Sequence, residues 1–98
     1  MMMAQLHLAD LPDRAALHDL LAGALKLPDY YGRNLDALYD ILTERGEQTI
    51  LWIYPDEATD ARLNGYLTAL LNTLQDAAAE NPSLSLCIVD AQEEVWIR

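Results

Sequence analysis

The chain predicts an α/β fold: a three-stranded parallel sheet packed with helices in the order β-α-α-β-α-α-β, with a short extra edge strand at the C-terminal end. Three observations predict it. Short apolar runs at residues 4–8, 48–54 and 84–89 have the length and composition of strands. The segments between them carry apolar residues at helical spacing. Strands joined through helical crossovers favour a parallel sheet with right-handed connections.

The elements can be justified in order. Residues 4–8 alternate loosely, which puts Leu6 and Leu8 inward and Gln5 and His7 outward. Pro12 and Asp13 then open a helix, since proline suits a first turn and an acid there suits the helix dipole. Leu17, Leu20, Leu21 and Leu25 form its apolar stripe, and Gly23 weakens it by up to about 1 kcal/mol relative to alanine. His18 stands one residue off that stripe and reads as a partly buried packing or capping histidine. No second histidine, and no cysteine at metal-ligand spacing, accompanies it.

Residues 27–43, LPDYYGRNLDALYDILT, form the stretch the chain is organised around. Pro28 ends the preceding helix, because the residue before a proline is pushed out of the α region. Gly32 permits a sharp bend. Asn34 is an N-cap, its side-chain oxygen accepting from a free N–H of the first turn. Leu35, Leu38, Ile41 and Leu42 then fall on one helical stripe. The opposite face carries Asp36, Tyr39, Asp40 and Thr43. Asp36 and Asp40, four apart, stack one above the other, at a cost of a few tenths of a kcal/mol. Two stacked acids beside an aromatic ring, with Tyr30 and Tyr31 just ahead, look like a docking surface, because aromatic residues are enriched at interface anchors.

After this helix, QTILWIY at residues 48–54 reads as a central strand buried on both faces, with Trp52 in the core. Residues 56–63 begin with acids and read as a short helix. Asn64 and Gly65 punctuate. Leu67, Leu70, Leu71, Leu74, Ala77 and Ala78 form a long helical stripe stopped by Asn81 and Pro82. LSLCIV at residues 84–89 is a third buried strand, residues 90–93 a turn, and EVWI at residues 94–97 an antiparallel edge strand covering a sheet edge.

Ninety-eight residues are expected to form one domain, spanning 1–98. The 52% apolar and 22% charged content is that of a soluble globular chain. No apolar run approaches the roughly 20 residues of a membrane span. The opening MMMAQLHLAD lacks a basic region followed by an apolar core, so no secretory signal is expected and the cytoplasm is. Cys87 is the sole cysteine, which excludes an internal disulfide and fits a reducing compartment; it reads as a small buried hydrophobe. The net charge is −10, and no Lys or Arg lies between Leu63 and Ile97. Nucleic acid and anionic membranes are therefore excluded as expected partners, while a basic protein would be steered to the chain. The sequence has no Gly-rich phosphate loop, no metal cluster and no nucleophile–base pair, and two carboxylates on one exposed helix lack the contrasting surroundings that acid–base catalysis requires. No enzyme activity and no cofactor or metal are expected.

The segment LPDYYGRNLDALYDILT resembles the signature of the barstar family, the small intracellular inhibitors of bacterial ribonucleases. The family pattern is LP-acid-YYG-x-NLDALWD-x-LT. This chain keeps the Leu-Pro-acid start, both tyrosines, Gly32, Asn34, Leu35, Asp36, Ala37, Leu38, Asp40, Leu42 and Thr43. It departs at Tyr39, where the family has tryptophan, and at Arg33, where an acid is common. The run Glu44-Arg45-Gly46-Glu47 lacks the family's glycine–aromatic pair. The resemblance implies a three-stranded parallel sheet with packed helices and an immunity-type function. In that reading Asp40 mimics an RNA phosphate in a ribonuclease active site, and Asp36 pairs with a flanking cation. Tyr30 and Tyr31 present flat rings beside Gly32, and Tyr39 packs at the rim. Thr43 and Asn34 add hydrogen bonds, and Asp76 makes an accessory acidic contact. The implied partner is a small secreted ribonuclease or ribonuclease-type toxin, met by a chain that is monomeric when free. The alternative is an acidic module that holds another basic toxin or regulatory partner without blocking a ribonuclease.

Overall fold

The computed structural model describes residues 1–90 and 93–97. Its elements are β1 (Met2–His7), α1 (Arg14–Ala24), α2 (Leu35–Glu44), β2 (Thr49–Tyr54), α3 (Glu57–Arg62), α4 (Tyr66–Glu80), β3 (Leu84–Asp90) and β4 (Glu93–Trp96). The strands form one sheet in the order β1-β2-β3-β4. β1 and β3 flank β2 in parallel, with Leu6 opposite Ile53 and Leu51 opposite Leu86. β4 pairs antiparallel with β3, placing Trp96 opposite Cys87. The expected three-strand parallel core and added edge strand are both present. The turn expected at residues 90–93 lies partly outside the described residues.

Local sequence explains most boundaries. The Asp13 carboxylate accepts from the Ala16 N–H at 2.8 Å and caps α1. Asp56 caps α3, accepting from the Thr59 backbone and hydroxyl. These bonds hold the Asp56 carboxyl below the usual carboxylate range. Gly65 opens α4 at φ +81°, a conformation that costs a side-chain-bearing residue about 1 kcal/mol or more. β1 begins two residues earlier than its alternation suggests, because Met2 enters the ladder opposite Thr49.

The core is one cluster on one side of the sheet. Ala4, Leu6, Leu8, Leu51, Ile53, Leu84 and Leu86 face Leu17, Leu21, Leu25, Leu38, Leu42, Leu67, Leu70 and Leu74 from the helices. Burying one such leucine contributes about 1.5–3 kcal/mol. The expectation that β2 is buried on both faces is corrected. Its residues alternate between buried and half-buried, and Trp52 is half-buried on the face away from the helices, outside the core cluster. A β-branched and aromatic run fits a pleated surface on either face, so its composition does not reveal that the crossovers leave one side open.

Among the described residues, no helix is long and apolar enough to cross a membrane.

Candidate partner-binding surface on the second helix

α2 starts where Asn34 caps it: its Oδ1 accepts from the Ala37 N–H at 2.7 Å, and its Nδ2 donates to the Gly32 carbonyl at 3.2 Å. The bend before the cap is shared differently from the sequence expectation. Arg33, at φ +58°, is the left-handed residue. Gly32 serves close approach instead, since a Cβ there would stand 3.3 Å from both the Ala37 Cβ and the Asn34 Nδ2. Arg33 spends its guanidinium on α1, donating to the Ala15 carbonyl at 3.1 Å and to the Asp19 carboxylate.

The two tyrosines of the entry loop separate. Tyr30 is 83% exposed, whereas Tyr31 is 7% exposed. The expectation that both present their rings is therefore corrected for Tyr31. Its hydroxyl lies 2.6 Å from Nδ1 of His18, and Nε2 of that histidine lies 2.8 Å from the Tyr66 hydroxyl. Burial pushes the Tyr31 phenol up to about 12, helped by Tyr66. Burial also lowers the pKa of His18, with Arg33 and Arg14 acting in the same direction. A neutral imidazole has one donor and one acceptor, so one hydroxyl donates to the ring and the other accepts from it. Arg14 stacks its guanidinium 4.1 Å from the centre of the Tyr66 ring. This network fastens the entry loop to α1 and α4.

Beyond the cap, α2 turns Leu38 and Leu42 into the core and leaves Asp36 and Asp40 exposed. Ile41, expected in the apolar stripe, stands half-buried at its margin. The helix also runs one residue past Thr43, so Glu44 is helical and exposed rather than part of a loop. Asp36, Asp40 and Glu44 follow at intervals of four and form a single acidic ridge. Glu44 was legible from the same spacing, but the helix end was not. Tyr39 and Thr43 are half-buried along the ridge. The Thr43 hydroxyl donates back to the carbonyls of Tyr39 (2.9 Å) and Asp40 (3.1 Å), so towards a partner it can only accept. Asp76 is exposed on α4, the helix against which α2 packs.

Among the described residues, none of the ridge acids enters an ion pair; the pairs formed are the N-terminal ammonium with Glu47 and Arg33 with Asp19. Arg45 directs its guanidinium to the Leu25 carbonyl at 2.8 Å. The far end of α2 is held by Asn81, which sequence reasoning read only as a helix stop. Its buried Nδ2 donates to the carbonyls of Leu42 (2.8 Å) and Arg45 (2.9 Å). A hollow of about 250 Å³ lies beside the ridge, lined by Pro28, Tyr30, Ile41, Glu44 and Arg45. Another, of about 300 Å³, lies against α3 and α4; of its three acids, Asp56 and Asp60 are committed to Thr59 and Thr68, and Glu57 is the third. Among the described residues, no group of three or more His, Cys, Asp or Glu side chains could hold a metal ion.

A sheet carrying four helices on one face, with an acidic ridge on the second of them, defines a small α/β protein of barstar-like fold. The chain belongs to the barstar family: the family described as Barstar (barnase inhibitor) matches residues 1–95. It is also 38% identical over 72 residues to the "Putative ribonuclease inhibitor YrdF" of Bacillus subtilis (strain 168), an overlap that covers 72% of this chain and 79% of that protein. At the level of the family, this is a ribonuclease inhibitor, and members of the family are inhibitors rather than enzymes.

Proposed function

We propose that this chain inhibits a basic bacterial ribonuclease by laying the α2 ridge across the enzyme's active site, as an immunity protein does for a toxin. The observation that carries the reading is the state of Asp36 and Asp40: both exposed, stacked on one rigid helix and without an internal cation among the described residues. A ribonuclease site holds phosphate with cationic side chains. A carboxylate on a preorganised helix can take the phosphate's place and accept bidentate hydrogen bonds from arginine.

In this reading Asp40 is the phosphate mimic and Asp36 pairs with a flanking cation. Tyr30 supplies exposed ring area, Tyr39 packs at the rim, and the Thr43 oxygen accepts a hydrogen bond. Gly32 and Asn34 shape the approach, and Asp76 adds an outlying acid. Tyr31 acts from beneath, by fixing the loop that carries Tyr30. Arg33 and Arg45 favour an adaptor for some other partner only if they face it, yet Arg33 is held by the Ala15 carbonyl and Asp19 and Arg45 by the Leu25 carbonyl, which leaves the ridge anionic. The inhibitor works in the cytoplasm as a monomer, meeting a ribonuclease that is otherwise exported.

The test is RNA cleavage by barnase, or by a basic ribonuclease encoded beside this chain, with and without purified protein. Stoichiometric suppression that Asp40→Ala abolishes supports the reading. Tight binding with undiminished cleavage would favour the adaptor.

A further inference from the structure

The open face of the sheet carries a second feature, independent of the ridge. Gln5, Trp52, Cys87 and Trp96 lie in one register row across the four strands, so all four point to the face away from the helices. Tyr54 and Glu94 stand two residues along from Trp52 and Trp96 on that face. Gln5, Trp52, Tyr54, Glu94 and Trp96 line a hollow of about 250 Å³. The Trp52 and Trp96 rings meet edge to face at 6.1 Å and 69°. Cys87, between them in register on the same face, is 0% exposed. Tyr54 is stacked on His7 at 4.1 Å, which steadies the far wall. Trp96 remains 52% exposed.

The chemistry of the lining selects the occupant. Ring faces and a carboxylate with no ion pair among the described residues attract an organic cation. The hollow is smaller than the roughly 300–1,000 Å³ of pockets for drug-sized ligands, so it suits one head group. The Glu94 carboxylate is the main acceptor; the Gln5 Oε1 already lies 3.1 Å from the His7 Nε2 and keeps one lone pair to offer. A guanidinium offers them in-plane donors while its flat face stacks on indole, whereas a quaternary ammonium offers no donor. A second copy of the chain fits poorly. Four strands about 4.8 Å apart and roughly 20 Å long present roughly 400 Å², half of the ~800 Å² per partner of a stable interface, and each copy carries a charge of −10.

We propose that this hollow binds the guanidinium of an arginine side chain presented by a basic partner protein, on the face opposite the helices, leaving the α2 ridge free. The probe is N-acetyl-arginine methylamide, titrated into the 15N-labelled protein while the two indole N–H resonances are followed. The neutral citrulline and the cationic lysine counterparts are run beside it. The expected result is saturable shifts of both indole signals with the arginine compound, and binding at least fivefold weaker for citrulline and for lysine. Trp96→Ala and Glu94→Gln each weaken the arginine compound at least fivefold. Glu94→Gln, at an exposed position, keeps the test valid should Trp96→Ala disturb the edge strand. Shifts that never saturate, equal shifts with citrulline or lysine, or indifference to Glu94→Gln overturn the proposal.

Discussion

His18 and Tyr31 are joined by a 2.6 Å contact between imidazole Nδ1 and phenol oxygen, and this contact ties the loop that opens α2 to the middle of α1. His18 is 3% exposed and its pKa is depressed, first by burial and then by Arg33 and Arg14. An unfolded histidine titrates near about 6.5. Below that pH the unfolded chain takes up a proton that the folded chain resists, so stability falls with acidification, by at most about 1.4 kcal/mol per pH unit from this group. Above that pH its contribution is constant. Urea melts between pH 7.5 and 5 check this, and His18→Gln should flatten that part of the profile. An unchanged slope in the variant removes His18 as the cause.

Tyr30 and Tyr31 should behave oppositely. Tyr31→Phe removes the hydroxyl partner of a buried ring nitrogen and should cost about 1–3 kcal/mol of stability. Tyr30→Ala, at an 83% exposed position, should stay within about 0.5 kcal/mol in stability yet weaken ribonuclease binding. Denaturant melts and calorimetric titration on the same two variants separate the roles.

Asp40→Ala should leave the melting curve nearly unchanged, since its carboxylate has no internal ion pair among the described residues and repels Asp36 one turn away. Its effect should fall on binding instead, at about 2–5 kcal/mol, a range to which the barnase–barstar pair itself contributes measurements. Stopped-flow association should also slow steeply as salt rises, because steering is screened. Rates indifferent to ionic strength would remove the steering argument.

Asn81→Ala should be among the most damaging changes far from the ridge. It strips the partner from the carbonyls of Leu42 and Arg45 and from the Ser83 N–H, which its Oδ1 binds at 3.0 Å. The expected loss is about 1–3 kcal/mol, measured by chemical denaturation. Hydrogen exchange should show faster opening at the C-terminal turn of α2 than in the parent protein.

Much of the surface was legible without coordinates. The Asn34 cap, the helix from Leu35 and the stacked exposure of Asp36 and Asp40 follow from spacing and local hydrogen bonding, and the structure carries them as read. The division of labour between Tyr30 and Tyr31 was not legible, because adjacent loop residues have no periodicity to sort them. What sorts them is His18, thirteen positions upstream of Tyr31, and Tyr66 far downstream. Glu44 was missed for a smaller reason: helix ends depend on capping groups, and the group holding this end is Asn81, the residue just after α4.

The amino-acid sequence by itself determined the order of strands and helices, the N-caps at Asp13, Asn34 and Asp56 and the alignment of acids along α2, since each depends on residues within about two turns of one another. Only the tertiary structure decided which tyrosine is buried, where the arginines point and which face of the sheet stays open. Those outcomes rest on contacts between segments tens of residues apart, whose meeting no local pattern encodes.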